Sequence, residues 1–180
     1  CASGARFRSR FVKTPAYVAE RAAGRLMHKG LGTNVSDSPL RNLRAPGPRN
    51  VSNTTIQPWA GRLISGWEGG RPYALDAESL ETIGEETFGG VLPDAAFLAH
   101  VRIDAGANRL IGCNLYREMP SRFVFREFDA AGQQVDQHEA TIPGMHFEHD
   151  FVATPRWYVL AGNPMKASLP QFAKAMLGFG

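Results

Sequence analysis

Cysteine is scarce: the 180 residues contain two, Cys1 and Cys113. Two thiols cannot build the disulfide framework of a small secreted domain, and a chain this long buries a core without one, so a reduced, intracellular setting is expected. Long apolar runs are missing too. No window approaches the roughly 18 consecutive apolar residues of a membrane-spanning helix. The opening CASGARFRSR has neither an initiating Met nor the apolar stretch of a signal peptide, and it reads as a fragment rather than a natural start. The GxSxG elbow, the P-loop, GxGxxG and a CxxC pair are all absent. Acyl transfer, phosphoryl transfer, dinucleotide binding and a zinc ribbon therefore lack their usual sequence support.

What is present describes one ordinary globular domain, 43% apolar and 21% charged. Its charge is unevenly spread. The first fifty residues carry ten Lys/Arg against Glu20 and Asp37, while the rest carries ten against fifteen acids, which leaves the net charge at +3. A basic run such as Arg6, Arg8, Arg10 and Lys13 attracts nucleic acid or anionic lipid. The simpler reading, a solvated face of a lead-in segment, is preferred here, and no nucleic-acid partner is expected.

Within residues 1–50 the stretch AERAAGRLMHKG predicts a short helix ended by Gly30 or Gly32, followed by an irregular loop over 35–50. Beyond residue 50 the texture changes to short apolar runs separated by turn residues: RLISGW, YALD, FLAHVRID, RLIGCNLY, RFVFREFD, QVDQHEATI, HDFVAT and WYVLAG. Helical periodicity is hard to find there. Segments 104–108 and 129–133, rich in Asp, Gly and Asn, fall where hairpin loops belong. Many short strands at about ten-residue spacing argue for an all-β sandwich, barrel or propeller.

Among five histidines, His100 lies inside an apolar run over 97–103 and His149 opens another over 149–153. An imidazole at such a place needs a hydrogen bond or a metal, and for either residue taken alone the structural role is favoured. His146 and His149 flank Glu148, but HFEH matches neither HExxH nor HxxEH.

Several motifs nevertheless recur in one order: Trp-Glu-Gly-Gly before Pro-Tyr (67–73), Leu-Asp before Leu-Glu-Thr (75–82), Ala-His before an Ile-Asp turn (99–104), and His-Asp-Phe before an aromatic strand (149–158). With FRSRFVKT and ERAAGR at the start, the chain resembles the carotenoid cleavage oxygenase family, which includes lignostilbene dioxygenases and the retinoid isomerohydrolase. The resemblance implies a seven-bladed β-propeller holding a non-haem Fe(II) by four histidines. Carried over by motif, His100 and His149 are metal ligands and Glu68 is a carboxylate behind a ligand imidazole. Imidazole suits Fe(II), and a carboxylate on the far ring nitrogen fixes tautomer and orientation. His138 and His146 match no ligand and are kept as structural or exposed. Trp67 suits either a substrate tunnel or packing. Val101 stands where the family usually has Pro, and the 145–148 run is unusual.

Seven blades need at least roughly 280 residues. The expected fold is therefore a partial seven-bladed β-propeller of two to three blades over 51–180, after a lead-in over 1–50. The complete protein is expected to cleave a C=C bond of a carotenoid, apocarotenoid or stilbene-like substrate with O2, and this portion to be inactive alone. Isomerohydrolase chemistry and a metal-free β-rich interaction module are the alternatives. A cytoplasmic location, with peripheral contact to a membrane to collect a lipophilic substrate, completes the expectation.

Overall fold

The computed structural model describes residues 4–5, 7–30, 33–162 and 170. Cys1, Arg6 and Gly32 lie outside them. Among the described residues up to 162, two short helices precede eleven strands: α1 (Pro15–Ala23), α2 (Pro39–Arg44), β1 (Thr55–Trp59), β2 (Arg62–Gly66), β3 (Tyr73–Leu75), β4 (Thr82–Glu85), β5 (Ala96–Phe97), β6 (Arg102–Asp104), β7 (Arg109–Tyr116), β8 (Ser121–Phe128), β9 (Gln134–Ile142), β10 (Val152–Ala153) and β11 (Tyr158–Val159). The strands form three antiparallel sheets: β1-β2-β3-β4, β5-β7-β8-β9 with β6 also on β7, and β10-β11. No described helix is long and apolar enough to cross a membrane. Among the described residues from 51 to 162 every regular element is a strand, as expected.

The lead-in differs from the sequence reading in two places. The helix starts earlier and stops at Gly24, not at Gly30. Thr14 accepts from the Tyr17 amide at 3.2 Å as N-cap, Pro15 opens the first turn, and Gly24 takes the left-handed conformation (φ 63°) that ends it. Glu20 then accepts from the Met27 and His28 amides, both at 3.0 Å, which holds the chain in a non-helical turn. The 35–50 segment is not wholly irregular, because it contains α2. Buried Asn42 accepts from the Val35 and Ser36 amides and donates to the Ser36 carbonyl, folding the segment onto that helical turn. Several lead-in cations are paired rather than free: Arg10 and Lys13 with Glu81, and Arg49 with Glu20.

The second sheet is covered on both faces, which explains why β7 reads as a continuous apolar run instead of an alternation. One face contributes Ile111, Cys113, Leu115, Phe123 and Phe125, which pack with Leu98, Phe151 and the ring of Tyr158. The other contributes Leu110, Phe128 and, from β5, Phe97, packed with Ile64 of the first sheet and with Phe88 and Leu92 of the connection between the two sheets. Phe128, three residues after Phe125 and paired with Leu110, lies on this second face by ordinary strand alternation. Full burial of each such Phe contributes about 1.5–3 kcal/mol. The central sheet is thus glued to a neighbour on each side, the stacking expected of consecutive propeller blades.

The two predicted hairpin loops are present. Asp104 Oδ1 accepts from the Gly106 and Ala107 amides, and Asp129 Oδ1 accepts from those of Ala131 and Gln133. Strand β1, unforeseen because of Pro58, is an edge strand, where a missing N–H is tolerated.

Candidate metal centre

His100 does not sit within a strand, contrary to the expectation from its apolar run. The partner of β7 is broken: β5 pairs with Leu115 and Asn114, β6 pairs with 109–111, and residues 98–101 bridge the gap. Leu98 and Ala99 are fully buried, and the Leu98 amide donates to the Cys113 carbonyl at 2.8 Å, so the approach to His100 is anchored while the imidazole leaves the sheet. His149 likewise precedes its strand, since pairing begins only at Val152. Glu68 lies in the connection from β2 to β3. That connection is held by Gly70, whose carbonyl accepts from the Phe97 amide at 3.2 Å.

These three residues, from connecting segments beside three sheets, meet. The Nε2 atoms of His100 and His149 are 3.1 Å apart, with the rings inclined at 69°. Glu68 Oε1 lies 3.2 Å from Nδ1 of His149. A carboxylate facing Nδ1 favours the proton there, which leaves the Nε2 lone pair free to point toward His100. Two nitrogens each about 2.1 Å from one ion and at right angles to it lie about 3.0 Å apart. The observed spacing and the neutral nitrogen donors therefore fit one ion. Glu68 is itself buried, and its Oε2 has no hydrogen-bond partner among the described residues. A buried carboxylate so poorly hydrogen-bonded is expected where a positive charge sits nearby.

Arg102 ties the segments that follow the two histidines. It donates to the Phe151 carbonyl at 2.9 Å and to Asp150 Oδ1 at 2.5 Å. Gly66, at the end of β2, sits against the backbone before His100: a Cβ there would lie 2.8 Å from the Ala99 carbonyl oxygen.

The other histidines go elsewhere. His146 is buried, with Nδ1 3.3 Å from Glu148 and Nε2 3.1 Å from the Pro143 carbonyl, a structural role as expected. His138 is exposed beside Asp136. His28 lies 3.6 Å from Glu20. Trp67 is 7% exposed, which favours packing over tunnel lining. A grouping of Glu127, Asp136 and His138 escaped the sequence reading, with ligand atoms within 4.8 Å of one another. Arg109 and the Tyr158 hydroxyl already donate to the two oxygens of Glu127, and Asp136 and His138 are exposed.

Comparison with known proteins gives the family and the fold. The family profile "Retinal pigment epithelial membrane protein" (RPE65) matches residues 2–179. The apocarotenoid-15,15'-oxygenase of Synechocystis sp. is 33% identical over 165 residues, covering 87% of this chain and 34% of that protein. Carotenoid cleavage dioxygenase 7 of Oryza sativa is 29% identical, with 96% of this chain and 36% of that protein covered. Isoeugenol monooxygenase of Pseudomonas putida is 30% identical, with 91% and 34% covered. A solved variant of the Synechocystis oxygenase superposes with a TM-score of 0.85 at 28% identity over 94% of this chain and 36% of that one. Its cobalt-substituted form gives 0.81 at 32% identity over 86% and 34%. The chain spans about a third of the length of these relatives. By sequence and by fold the protein belongs to the retinal pigment epithelial membrane protein family, that of the carotenoid cleavage oxygenases.

Proposed function

We propose that the complete gene product carrying these residues is an Fe(II)-dependent oxygenase that cleaves a C=C bond of a conjugated, lipophilic substrate, with His100 and His149 as two of the metal ligands. The observation that carries this reading is the 3.1 Å approach of the two Nε2 atoms with Glu68 behind His149. Supporting it, the relatives are carotenoid, apocarotenoid and isoeugenol oxygenases by name, and one of them has a cobalt-substituted form. Ferrous iron, when bound, supplies redox activation of O2, and cleavage distributes one oxygen atom to each carbonyl product.

The chain's own residues do the holding. His100 and His149 present neutral nitrogens, so the charge of a bound dication is offset from further out, by Glu68. The carboxylate keeps the His149 proton on Nδ1 and fixes the ring plane. The further ligands required by a four-imidazole set belong to the part of the gene product outside this matched third.

Metal analysis of the complete gene product beside His100→Ala and His149→Ala tests the assignment. Near-stoichiometric iron in the parent and strongly depleted iron in both variants is the expected result. Unchanged iron in either variant would leave the metal-free interaction module as the better reading.

A further inference from the structure

The geometry points to Arg117 as a positioning residue of this centre: one guanidinium holds both the residue that carries the carboxylate and the segment that carries His149. The inference rests on the metal reading above and adds to it a residue for which no motif gives a role.

Arg117 follows β7 directly. Its Nη2 donates to the main-chain carbonyl of Glu68 at 2.6 Å. Its guanidinium carbon lies 4.3 Å from the ring centroid of Phe147, two residues before His149. The side chain therefore touches the backbone at one end of the Glu68–His149 contact and the chain immediately before the other end. A guanidinium suits this double task because its plane stacks on an aromatic face while its edge donates.

The placement is costly, which argues for a role. Arg117 Nε is buried without a hydrogen-bond partner among the described residues, and burial pushes the guanidinium down from its ordinary range while the Glu68 carboxylate pushes it back up. Glu68 Oε2 is buried and unpartnered as well. Among the described residues no hydrogen bond holds that oxygen, so the direction of the carboxylate depends on its contact with His149 and on how the Glu68 backbone is held. The neighbouring anchors of the same connection, Gly70 to Phe97 and Arg71 Nε to the Pro93 carbonyl at 2.9 Å, act two and three residues further on. Arg117 acts on Glu68 itself. If the residue serves the centre, its removal loosens the metal through Glu68, and the two losses do not add.

The test is Co(II) affinity, by chelator competition, on the complete gene product with Arg117→Met, Arg117→Lys, Glu68→Gln, His149→Ala and the Glu68→Gln/Arg117→Met double variant. Each of the Met and Gln variants is expected to weaken binding by about 10- to 100-fold, the range for outer-shell partners. The double variant should bind no more weakly than Glu68→Gln alone by more than a factor of about 3, and Arg117→Lys, which keeps a donor but not the stack, should fall between Met and the parent. The Co(II) absorption spectrum should shift in the Met and Gln variants alike. Parent-like affinity and spectrum in Arg117→Met, or a double variant weakened by the product of the two single effects, would overturn the inference. If Arg117→Met does not fold, Arg117→Lys decides the matter, and a parent-like affinity and spectrum in that variant overturns it. If Glu68→Gln and His149→Ala also bind as the parent does, the metal reading fails first and Arg117 with it.

Discussion

His100 and His149 stand 49 positions apart in the chain, yet their Nε2 atoms approach to 3.1 Å, and the Glu68 carboxylate backs one of the two rings. Neither ring is held by its own strand. Each occupies irregular backbone just before a strand begins, β6 in one case and β10 in the other. Their spacing is consequently a property of how the second and third sheets pack, through Leu98, Phe125, Phe151 and the Arg102 bridge.

A ligand that binds only the folded arrangement stabilises it by mass action. Co(II) at about 100 times its dissociation constant should raise the unfolding free energy of the complete gene product by about 2.7 kcal/mol. Calorimetry with and without Co(II) measures this. The increment should vanish in His100→Ala and His149→Ala, and an increment of full size in either would contradict the shared site.

Gly66→Ala places a methyl group 2.8 Å from the Ala99 carbonyl oxygen and 3.2 Å from Thr55 Cγ2. The first of these is backbone and cannot rotate away. We expect a loss of about 1–3 kcal/mol, as for other overpacked sites, together with weaker Co(II) binding because the strain falls on the approach to His100. Chemical denaturation and metal titration on one sample separate the two effects; neither changing would show that β2 has room to withdraw.

Arg126 is buried within the second sheet and donates to Asn114 at 2.9 Å, Gln134 at 2.8 Å and Gln137 at 2.5 Å. Arg126→Met keeps the apolar stem and removes the donors. Asn114, wholly buried, is then left with an unsatisfied acceptor, for which about 1–3 kcal/mol is the expected cost. A urea midpoint equal to that of the parent would mean the network contributes nothing.

Burial raises the Tyr73 phenol to about 12, helped by the nearby Glu85 charge and by the hydrogen bond to Glu85 Oε1. The folded protein holds that proton more tightly than the unfolded chain, whose tyrosine titrates near 10. This contribution to stability is complete below about pH 10 and is lost as pH climbs toward 12. Tyr158 is raised in the same direction, first by burial and then by Glu127. Absorbance titration should therefore show two of the four tyrosines lagging, and Tyr73→Phe should remove one late step and flatten the alkaline decline in stability.

The clearest strands in the sequence are those whose burial is simplest. The runs 109–116 and 134–142 coincide with β7 and β9 because hairpin loops capped by Asp104 and Asp129 delimit them locally. Strand β1 is hidden by Pro58, which an edge position tolerates. The helix ends before the glycines that the sequence points to because a left-handed Gly24 and a side chain from Glu20 act first. His100, His149 and Glu68 are legible through motif order, since no local periodicity separates a ligand imidazole from a structural one. Arg117 carries no signal at all: its meaning arises only where the end of β7 meets Glu68 and Phe147, residues distant in the chain.

Glu68 lies in a connection within the first sheet, His100 in the break between β5 and β6 of the second, and His149 in the segment that leads into the third. A trio divided in this way works as a threefold conjunction, incomplete until every pair of neighbours has docked. Slow loading by the ion during biosynthesis would then time the last docking event rather than the rate at which any one sheet forms.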